Sequence, residues 1–188
     1  MNEDNKEEGH DEAPLGFDMK PGLILDSVSL VSYASELTYD LDGSIESLSE
    51  LKEEQRRPQI QYELAHESQV EKQFEDLKAA YTWFATKDTI EEIKDLCEKF
   101  GGAREGERIT SILQVIKTLE PDAGLIPSYA QQSKKLSDTS VSTLTMSLDK
   151  NLRLATSNVK LQKKYNKNKE EDMLEAVAIP ARSFVGLQ

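Results

Sequence analysis

Residues 136–165 read LSDTSVSTLTMSLDKNLRLATSNVKLQKKY, and neither proline nor glycine interrupts them. Apolar side chains recur in this stretch every three or four residues, a spacing that places them on one side of an α-helix. A helix with such a stripe buries it against a neighbour, so the stretch predicts one long helix that packs against a partner. The stripe consists of Val141, Leu144, Leu148, Leu152, Ala155 and Val159.

The stripe departs from a regular heptad repeat, because its successive steps are three, four, four, three and four residues. A weaker apolar set, Met146, Leu154 and Leu161, lies on the opposite side of the same helix. Two stripes favour a helix between neighbours in a bundle over one half of a simple coiled coil. An amphipathic helix that folds back on its own chain also explains the main stripe, so packing within one chain or between chains stays open.

Similar stripes predict further helices earlier in the chain. The first begins at Asp26, a candidate N-cap, and ends at Pro58. The second covers residues 59–86, and shorter helices follow at residues 88–100 and 105–119. No alternation of apolar and polar residues is long enough to predict a strand. The clearest heptad spacing lies in the second helix, at Val70, Phe74, Leu77, Tyr81 and Phe84.

The predicted fold class is therefore all-α, with elongated helical hairpins in a coiled-coil bundle. Apolar residues make up 37% of the chain and charged residues 31%, which leaves little material for a large closed core. Residues 1–21 are acidic, contain glycine and proline and show no periodicity, so they predict a disordered tail. The predicted divisions after it are a helical hairpin region at 22–120, a long coiled-coil helix at 121–180 and a loose C-terminus at 181–188.

The net charge of −12 argues against nucleic acid as a partner, because phosphate backbones need a basic surface. It argues in the same way against an acidic lipid surface. The charge is uneven, however, since acidic residues crowd the N-terminus and a basic run follows late in the chain. That run is either a site for a separate partner or a solvated surface. It comprises Lys160, Lys163, Lys164, Lys167 and Lys169.

Few residues are placed to support catalysis. The two histidines are His10, in the acidic tail, and His66, on a predicted helix surface, so neither has a nucleophile beside it. The single cysteine, Cys97, lies on the apolar side of its helix, where a thiol behaves as a small hydrophobe. We therefore predict no catalytic site and a protein that is not an enzyme.

Motifs for metal ions and cofactors are absent as well. The sequence has no zinc, calcium or phosphate-loop pattern. Clustered acids such as Glu91, Glu92 and Asp95 lack the glycine turn of a calcium loop and are interpreted as solvated helix surface. We therefore predict no metal site and no cofactor.

The chain lacks the signals of an exported or membrane-bound protein. One cysteine cannot form an internal disulfide, and the sequence shows neither an N-terminal signal segment nor a run of about 18 apolar residues. These features predict a soluble, cytoplasmic protein that does not insert into a membrane.

Residues 115–121, VIKTLEP, are followed by LIPSYA at residues 125–130 and by Lys135 and Leu136. These segments resemble the smallest shoulder subunit of dynactin, a family that also places a proline-broken segment before a late coil. The Tyr-Asn pair of that coil is matched here by residues 165–166. The likeness is confined to the later part of the chain, since the earlier part does not follow the family's pattern. It implies helical hairpins and a non-catalytic subunit that brackets coiled-coil chains in the dynein activator.

The leading functional hypothesis is a non-catalytic structural subunit, or scaffold, of a hetero-oligomeric cytoplasmic complex. Its partners are expected to be other helical subunits in a cytoskeletal motor, kinetochore or vesicle-tethering assembly. Two alternatives stay open: a self-contained helical regulatory adaptor, and a viral phosphoprotein-like polymerase cofactor. The predicted partner interface comprises Leu30, Leu37, Leu41, Leu48, Phe74, Leu77, Tyr81, Val141, Leu144, Leu148, Leu152 and Val159.

Overall fold

A parallel β-sheet forms the middle of the computed structural model, which describes residues 20–39, 69–121 and 136–186. Within these residues the chain forms five strands and seven helices. The strands are β1 (Gly22–Leu25), β2 (Thr82–Thr86), β3 (Lys117–Leu119), β4 (Arg153–Thr156) and β5 (Val177–Ala178). The helices are α1 (Ser27–Ala34), α2 (Glu36–Tyr39), α3 (Val70–Ala80), α4 (Lys87–Phe100), α5 (Ala103–Val115), α6 (Asp138–Asp149) and α7 (Val159–Asn168).

The strands lie in the order β3-β2-β1-β4-β5, and each neighbouring pair is parallel. The chain therefore starts in the middle of the sheet, builds outwards through β2 and β3, and returns to the other side of β1 for β4 and β5. This is the strand order of a doubly wound sheet. Successive strands are added on one side of β1 up to β3 and on its other side from β4, so the switch point lies between β1 and β4. In such sheets, ligands bind outside the carboxyl ends of the strands at this switch point.

Alternate residues of the strands enter two apolar layers, one on each face of the sheet. Leu23, Leu25 and Trp83 pack with α1, α3, α4 and α5. Ile24 and Leu154 pack on the opposite face with α6 and α7. Because helices cover both faces, the fold is a three-layer α/β/α sandwich.

The prediction of an all-α coiled-coil fold is wrong, since the chain is an α/β protein with a parallel sheet. Residues 136–165 contain α6, β4 and most of α7 rather than one helix. α6 ends at Asp149, and Asn151 then adopts a left-handed backbone with a φ of 51°. A strand that is buried on both faces is a short apolar run without alternation. β4, RLAT, shows no alternation of apolar and polar residues, and its Leu154 and Ala155 are in phase with the helical spacing of α6, so they resemble a continuation of the apolar stripes.

The second predicted helix, residues 59–86, is divided in a similar way. Its described part contains α3 and then β2, so the heptad positions up to residue 80 lie on a helix and the later ones on or beside a strand. The fourth predicted helix, residues 105–119, ends as α5 at Val115, and β3 follows. The predicted hairpins of long helices are therefore absent from the described part of the chain.

Two local predictions are confirmed. Asp26 caps α1, because its side chain accepts a hydrogen bond from the N–H of Ser29. α4 covers the predicted helix at residues 88–100. Gly101 follows the end of this helix with a φ of −80° and an extended backbone. The first predicted helix is described only as far as Tyr39, through α1 and α2.

The predicted division at residues 120–121 does not separate two domains, because β3 before it and β4 after it belong to one sheet. Residues 181–186, expected to be loose, are packed, and Phe184 and Val185 are 5% and 2% exposed. The predicted disordered tail falls outside the described residues through residue 19. In the described ranges, we find no helix with the length and apolar character needed to span a membrane.

Candidate functional site at the carboxyl edge of the sheet

The first turns of four helices meet at the carboxyl edge of the sheet. α1, α4 and α7 begin just after β1, β2 and β4, at the ends of these strands. α6 precedes β4 and has to lead the chain to the amino edge, where β4 begins, so α6 itself begins at the carboxyl edge. At each start a capping side chain accepts a hydrogen bond from a backbone N–H of the first turn. The positive ends of four helix dipoles therefore point to this edge. The capping residues are Asp26, Thr86, Ser137 and Asn158.

Asp26 stands at the end of the central strand and is only 2% exposed. Its Oδ1 atom accepts the N–H of Ser29 at 2.9 Å, and its Oδ2 atom accepts the hydroxyl group of Thr156 at 2.5 Å. Burial raises the pKa of this carboxyl group above its ordinary value of 3.8, although the hydrogen bonds act in the opposite direction. Carboxyl groups in so unfavourable an environment are concentrated at functional sites.

Hydrogen bonds join the ends of β1 and β4 across the switch point. Ser29 Oγ donates to the carbonyl oxygen of Ala155 at 3.0 Å. The hydroxyl oxygen of Thr156, which donates to Asp26, also accepts the N–H of Asn158 at 2.9 Å. One hydroxyl group therefore connects the Asp26 carboxyl group with the start of α7.

A chain of buried hydroxyl groups connects α4 with α6. Thr86 Oγ1 donates to Thr89 Oγ1 at 2.9 Å, and Thr89 Oγ1 lies 3.1 Å from Thr143 Oγ1. All three side chains are fully buried. Glu92 follows Thr89 by three residues and is therefore its neighbour on the surface of α4. This places Glu92 on the side of α4 that contacts α6.

Three buried polar atoms on these elements have no hydrogen-bond partner among the described residues: Glu92 Oε2, Ser142 Oγ and Ser157 Oγ. Ser142 is 4% exposed and lies on α6, and Ser157 lies in the turn between β4 and α7. Buried polar groups without partners are rare, because each has lost its hydrogen bonds to water. Each of the three lies on or next to an element that starts or ends at the carboxyl edge, and each has an atom that could accept or donate a further hydrogen bond.

Asp138 adds another carboxylate to this edge. It is exposed in the first turn of α6, and α6 packs against β1, β2 and β4, so its start lies over the carboxyl ends of the central strands. We refer to Asp26, Glu92, Asp138 and Asn158 as the carboxyl-edge site. In the described ranges no three His, Cys, Asp or Glu side chains form a metal-binding group by themselves. One or two carboxylates suffice for Mg²⁺ when a phosphate group supplies further oxygens.

The basic run seen in the sequence lies on α7. Lys160, Lys163 and Lys167 are exposed and follow one another at helical spacing, so they form one row on the helix surface. The row spans about 10 Å, because an α-helix rises 1.5 Å per residue. It begins two residues after Asn158 and leads away from the carboxyl-edge site. We call these three residues the lysine row.

Comparison with known proteins assigns no family to the chain. No protein-family model and no curated protein matches it. The resemblance to the smallest shoulder subunit of dynactin therefore stays untested, whereas the helical hairpins that it implied are contradicted by the sheet. The carboxyl-edge site and the lysine row are the features that bear on function.

Most residues of the predicted partner interface lie in the chain's own core. Tyr81 and Leu148 are partly buried, and Val159 is 58% exposed. Leu41 and Leu48 lie outside the described residues. Packing within one chain accounts for the apolar spacing of the set, so contact with a partner stays a prediction. The members that are at most 8% exposed are Leu30, Leu37, Phe74, Leu77, Val141, Leu144 and Leu152.

The sequence identifies Asp26 as a helix cap but not as part of a site, and it groups Glu92 with solvated acids. The signal for Asp26 is its place between the apolar run GLIL at residues 22–25 and a helix, the pattern of a strand followed by a helix. Glu92 has no comparable local signal. Its Oε2 atom becomes buried only when the helices of the sheet pack together.

Cys97 lies in the last turn of α4, at the end of the helix away from the carboxyl edge. Cys97 is partly buried, and desolvation raises the pKa of its thiol. A raised pKa disfavours the thiolate form, and Cys97 packs against the apolar layer that contains α1, α3, α4 and α5. His10 and His66 lie outside the described residues.

Proposed function

We propose that this protein is a metal-dependent hydrolase of phosphodiester bonds in single-stranded nucleic acid. The observation that carries the proposal is the buried carboxyl group of Asp26 at the switch point, with the unpartnered Oε2 atom of Glu92 on the neighbouring helix. Asp26 lies at the edge where doubly wound sheets bind their ligands, and Glu92 lies in the second turn of the helix that starts at this edge. The proposal has three steps. The site binds a divalent cation, the same edge binds a phosphate group, and the substrate is a polymer of phosphates.

A divalent cation fits the acids of the carboxyl-edge site. Mg²⁺ and Mn²⁺ prefer oxygen ligands, and Mg²⁺ is commonly held by one or two carboxylates together with phosphate oxygens and water. A cation beside Asp26 would favour the charged form that burial disfavours. It would also provide a partner for Glu92 Oε2. Asp138, exposed at the start of α6, adds negative charge at the same edge without completing a three-carboxylate group among the residues that the structure describes.

The same edge suits a phosphate group. Helix N-termini favour anions, and four of them meet here. A bound cation offsets the repulsion between phosphate and the carboxylates. A cation held by Asp26 and Glu92 would also lower the pKa of a water molecule. The oxygen of this water would bond to phosphorus while the bond from phosphorus to one ester oxygen breaks, and that ester oxygen takes up a proton from solvent. Hydrolysis of a phosphate ester is therefore the reaction that these groups favour.

The lysine row favours a polymer of phosphates over a small phosphate ester. Its three lysines, spaced about one helical turn apart, offer contacts to successive phosphate groups of one strand. Asp26 is 2% exposed, so the reacting phosphate has to enter a recess. A flexible single strand meets this requirement more easily than a stiff duplex.

The net charge of −12 predicts that the molecule as a whole repels nucleic acid. Salt screens charges that lie more than about 8–10 Å apart, however, so the lysine row dominates the contacts of a strand bound along α7. The hypothesis of a non-catalytic complex subunit stays untested. The coiled-coil stripes that motivated it are strands and core helices of one sheet.

The cation step is tested by calorimetric titration of the full chain with Mn²⁺. We expect Asp26→Asn and Glu92→Gln each to weaken binding by about tenfold or more, because each removes a negative ligand and keeps the shape of the side chain. Glu91→Gln is the matched control, since Glu91 is the exposed neighbour of Glu92 on α4. Equal binding by all four proteins would contradict the cation site.

Hydrolysis is tested with an end-labelled, unstructured single-stranded RNA in the presence of Mn²⁺. We expect the wild type to cleave the RNA. Asp26→Asn and Glu92→Gln should each lower the rate of cleavage by a factor of about 100 or more. Glu91→Gln should keep the wild-type rate. If the wild type binds the RNA but does not cleave it, the protein is not a hydrolase of this substrate.

The polymer step is tested by the salt dependence of RNA binding. Replacing Lys163 and Lys167 by alanine should weaken binding and reduce the slope of log K against log salt by about 1.4, since each of the two lost phosphate contacts in a single strand contributes about 0.7. The control replaces Lys78 and Lys94, which are exposed on α3 and α4, and removes the same total charge. An equal effect of both double variants would contradict a specific role for the lysine row.

A further inference from the structure

The side chain of Glu105 joins three segments that are distant in sequence. It projects from α5, is fully buried and accepts hydrogen bonds from four backbone N–H groups. Its Oε1 atom accepts the N–H of Glu36 at 3.1 Å and that of Val185 at 2.9 Å. Its Oε2 atom accepts the N–H of Gly102 at 2.8 Å and that of Gly186 at 3.1 Å. One carboxylate therefore holds α2, the turn before α5 and the last described residues together.

Residues 179–186, which we call the C-terminal strap, cross α1 on their way to Glu105. The N–H of Arg182 donates to Ser32 Oγ at 3.0 Å, and Ser35 Oγ donates to the carbonyl oxygen of Ser183 at 2.6 Å. The strap thus has two contacts with α1 and two with Glu105. Its apolar side chains at residues 179, 184 and 185 are at most 5% exposed, so it also covers part of the core.

Gly186 closes the strap with a left-handed backbone, at a φ of 71°. This conformation suits glycine, and a Cβ atom at this position would lie 2.9 Å from the carbonyl oxygen of Phe100. The close approach lets the N–H groups of residues 185 and 186 reach the two oxygens of Glu105. The backbone at this end of the strap is therefore positioned to donate two hydrogen bonds to the Glu105 carboxylate.

The other end of the strap reaches the carboxyl edge of the sheet. The N–H of Ile179 donates to the carbonyl oxygen of Thr156 at 3.1 Å. The hydroxyl group of the same threonine donates to Asp26. A movement of the strap therefore acts on the residue that connects β4 with the central carboxyl group.

We propose that residues 179–186 open and close as one unit, that Glu105 is the latch of this strap, and that its opening loosens the carboxyl-edge site. Two backbone N–H groups of the strap depend on one carboxylate, so the loss of that acceptor releases both at once. The proposal concerns the chain's own contacts and does not depend on which ligand the carboxyl edge binds.

The test is amide hydrogen exchange of the full chain in the wild type, Glu105→Gln and Glu107→Gln. The amide NH₂ of glutamine cannot accept a hydrogen bond, so at least two of the four donors lose their acceptor. We expect exchange at residues 182–186 to become about tenfold faster or more, with a smaller increase at residues 156–158. Exposed Glu107 lies two residues away on α5, and its variant should exchange like the wild type.

A second variant, Ser35→Ala, removes a strap contact without touching Glu105. If the strap opens as a unit, this variant also accelerates exchange at residues 185 and 186, which Ser35 does not contact. Faster exchange only around the lost contact would show that the strap does not open as one unit. An equal acceleration throughout the sheet in Glu105→Gln would show a general loss of stability and would overturn the role of Glu105 as a latch.

Discussion

At the scale of single residues, Asp26 has two opposing effects on the stability of the folded protein. As an N-cap it stabilises α1, yet burial disfavours its charged form. Asparagine caps a helix about as well as aspartate. Stability alone therefore does not require a carboxyl group here, and a residue of this kind is expected where activity requires it.

We expect Asp26→Asn to become increasingly stabilising, relative to the wild type, as the pH rises from about 4 to 7. The pKa of the folded carboxyl group lies above the ordinary value of 3.8 because of burial. The stability that protonated Asp26 contributes is therefore complete below that ordinary value and is lost as the pH rises through the folded-state pKa. Asparagine does not titrate and avoids this loss. Urea unfolding of both proteins at several pH values gives the difference in the free energy of unfolding.

Asp138→Asn is the control for this measurement. The Asp138 side chain is exposed, so water solvates it in the folded and in the unfolded state. This variant removes an aspartate carboxylate without changing a buried group, so a trend with pH that both variants share does not come from the burial of Asp26. If the advantage of Asp26→Asn decreases as the pH rises, burial is not the dominant influence on Asp26.

At the scale of elements, the turn between α6 and β4 distinguishes the observed fold from one continuous helix. The N–H of Leu152 donates to the carbonyl oxygen of Ser147 at 2.8 Å, and left-handed Asn151 precedes it. This is the pattern of a Schellman C-cap, in which asparagine is the commonest residue after glycine. The turn ends α6 and directs the chain into the sheet.

Substitutions at Asn151 are expected to reverse the order of stability that alanine and glycine variants show within a helix. In the left-handed turn we expect Asn151→Ala to be less stable than Asn151→Gly by about 1 kcal/mol, because a Cβ atom disfavours this backbone conformation. In a helix interior alanine would be the more stable by about 1 kcal/mol. Urea unfolding of the two variants measures the difference.

The same pair at Glu98 provides the reference, since Glu98 is an exposed residue within α4. There we expect alanine to be more stable than glycine. The same order at both positions would mean that Asn151 belongs to a helix after all.

At the scale of the whole molecule, the sheet is assembled from segments that are far apart in sequence. Leu23 in β1 pairs with Trp83 in β2 on one side and with Arg153 in β4 on the other. These pairings require the closure of long loops, so no local segment contains a complete layer of the fold. The stability of α6, β4 and α7 depends on β1.

A peptide of residues 136–168 is therefore expected to be monomeric and largely unfolded. α6 and α7 have 12 and 10 residues, and isolated helices of that length are marginal in water. One long amphipathic helix would instead be strongly helical and would self-associate through its stripe. Circular dichroism and sedimentation of the peptide distinguish the two results, and a helical oligomer would contradict the division into α6, β4 and α7.

Local patterns predicted the cap at Asp26, the position of α4 and the basic surface of α7 because each depends on neighbours within about one helical turn. They did not predict the strands. β1, GLIL, is a short apolar run that also fits a helical stripe, and Leu154 and Ala155 of β4 follow the spacing of the stripes in α6. The asparagine after α6 was a usable end signal, but the apolar spacing beyond it masked the break.

The sequence by itself therefore determined the start of α1, the position of α4, the basic surface of α7 and most of the residues that avoid water. The tertiary structure decided the parallel sheet, because each strand finds its hydrogen-bond partners in distant segments. It also decided the carboxyl-edge site. Asp26, Glu92, Asp138 and Asn158 lie on four different connections, and they share one edge only because the doubly wound order starts four helices there.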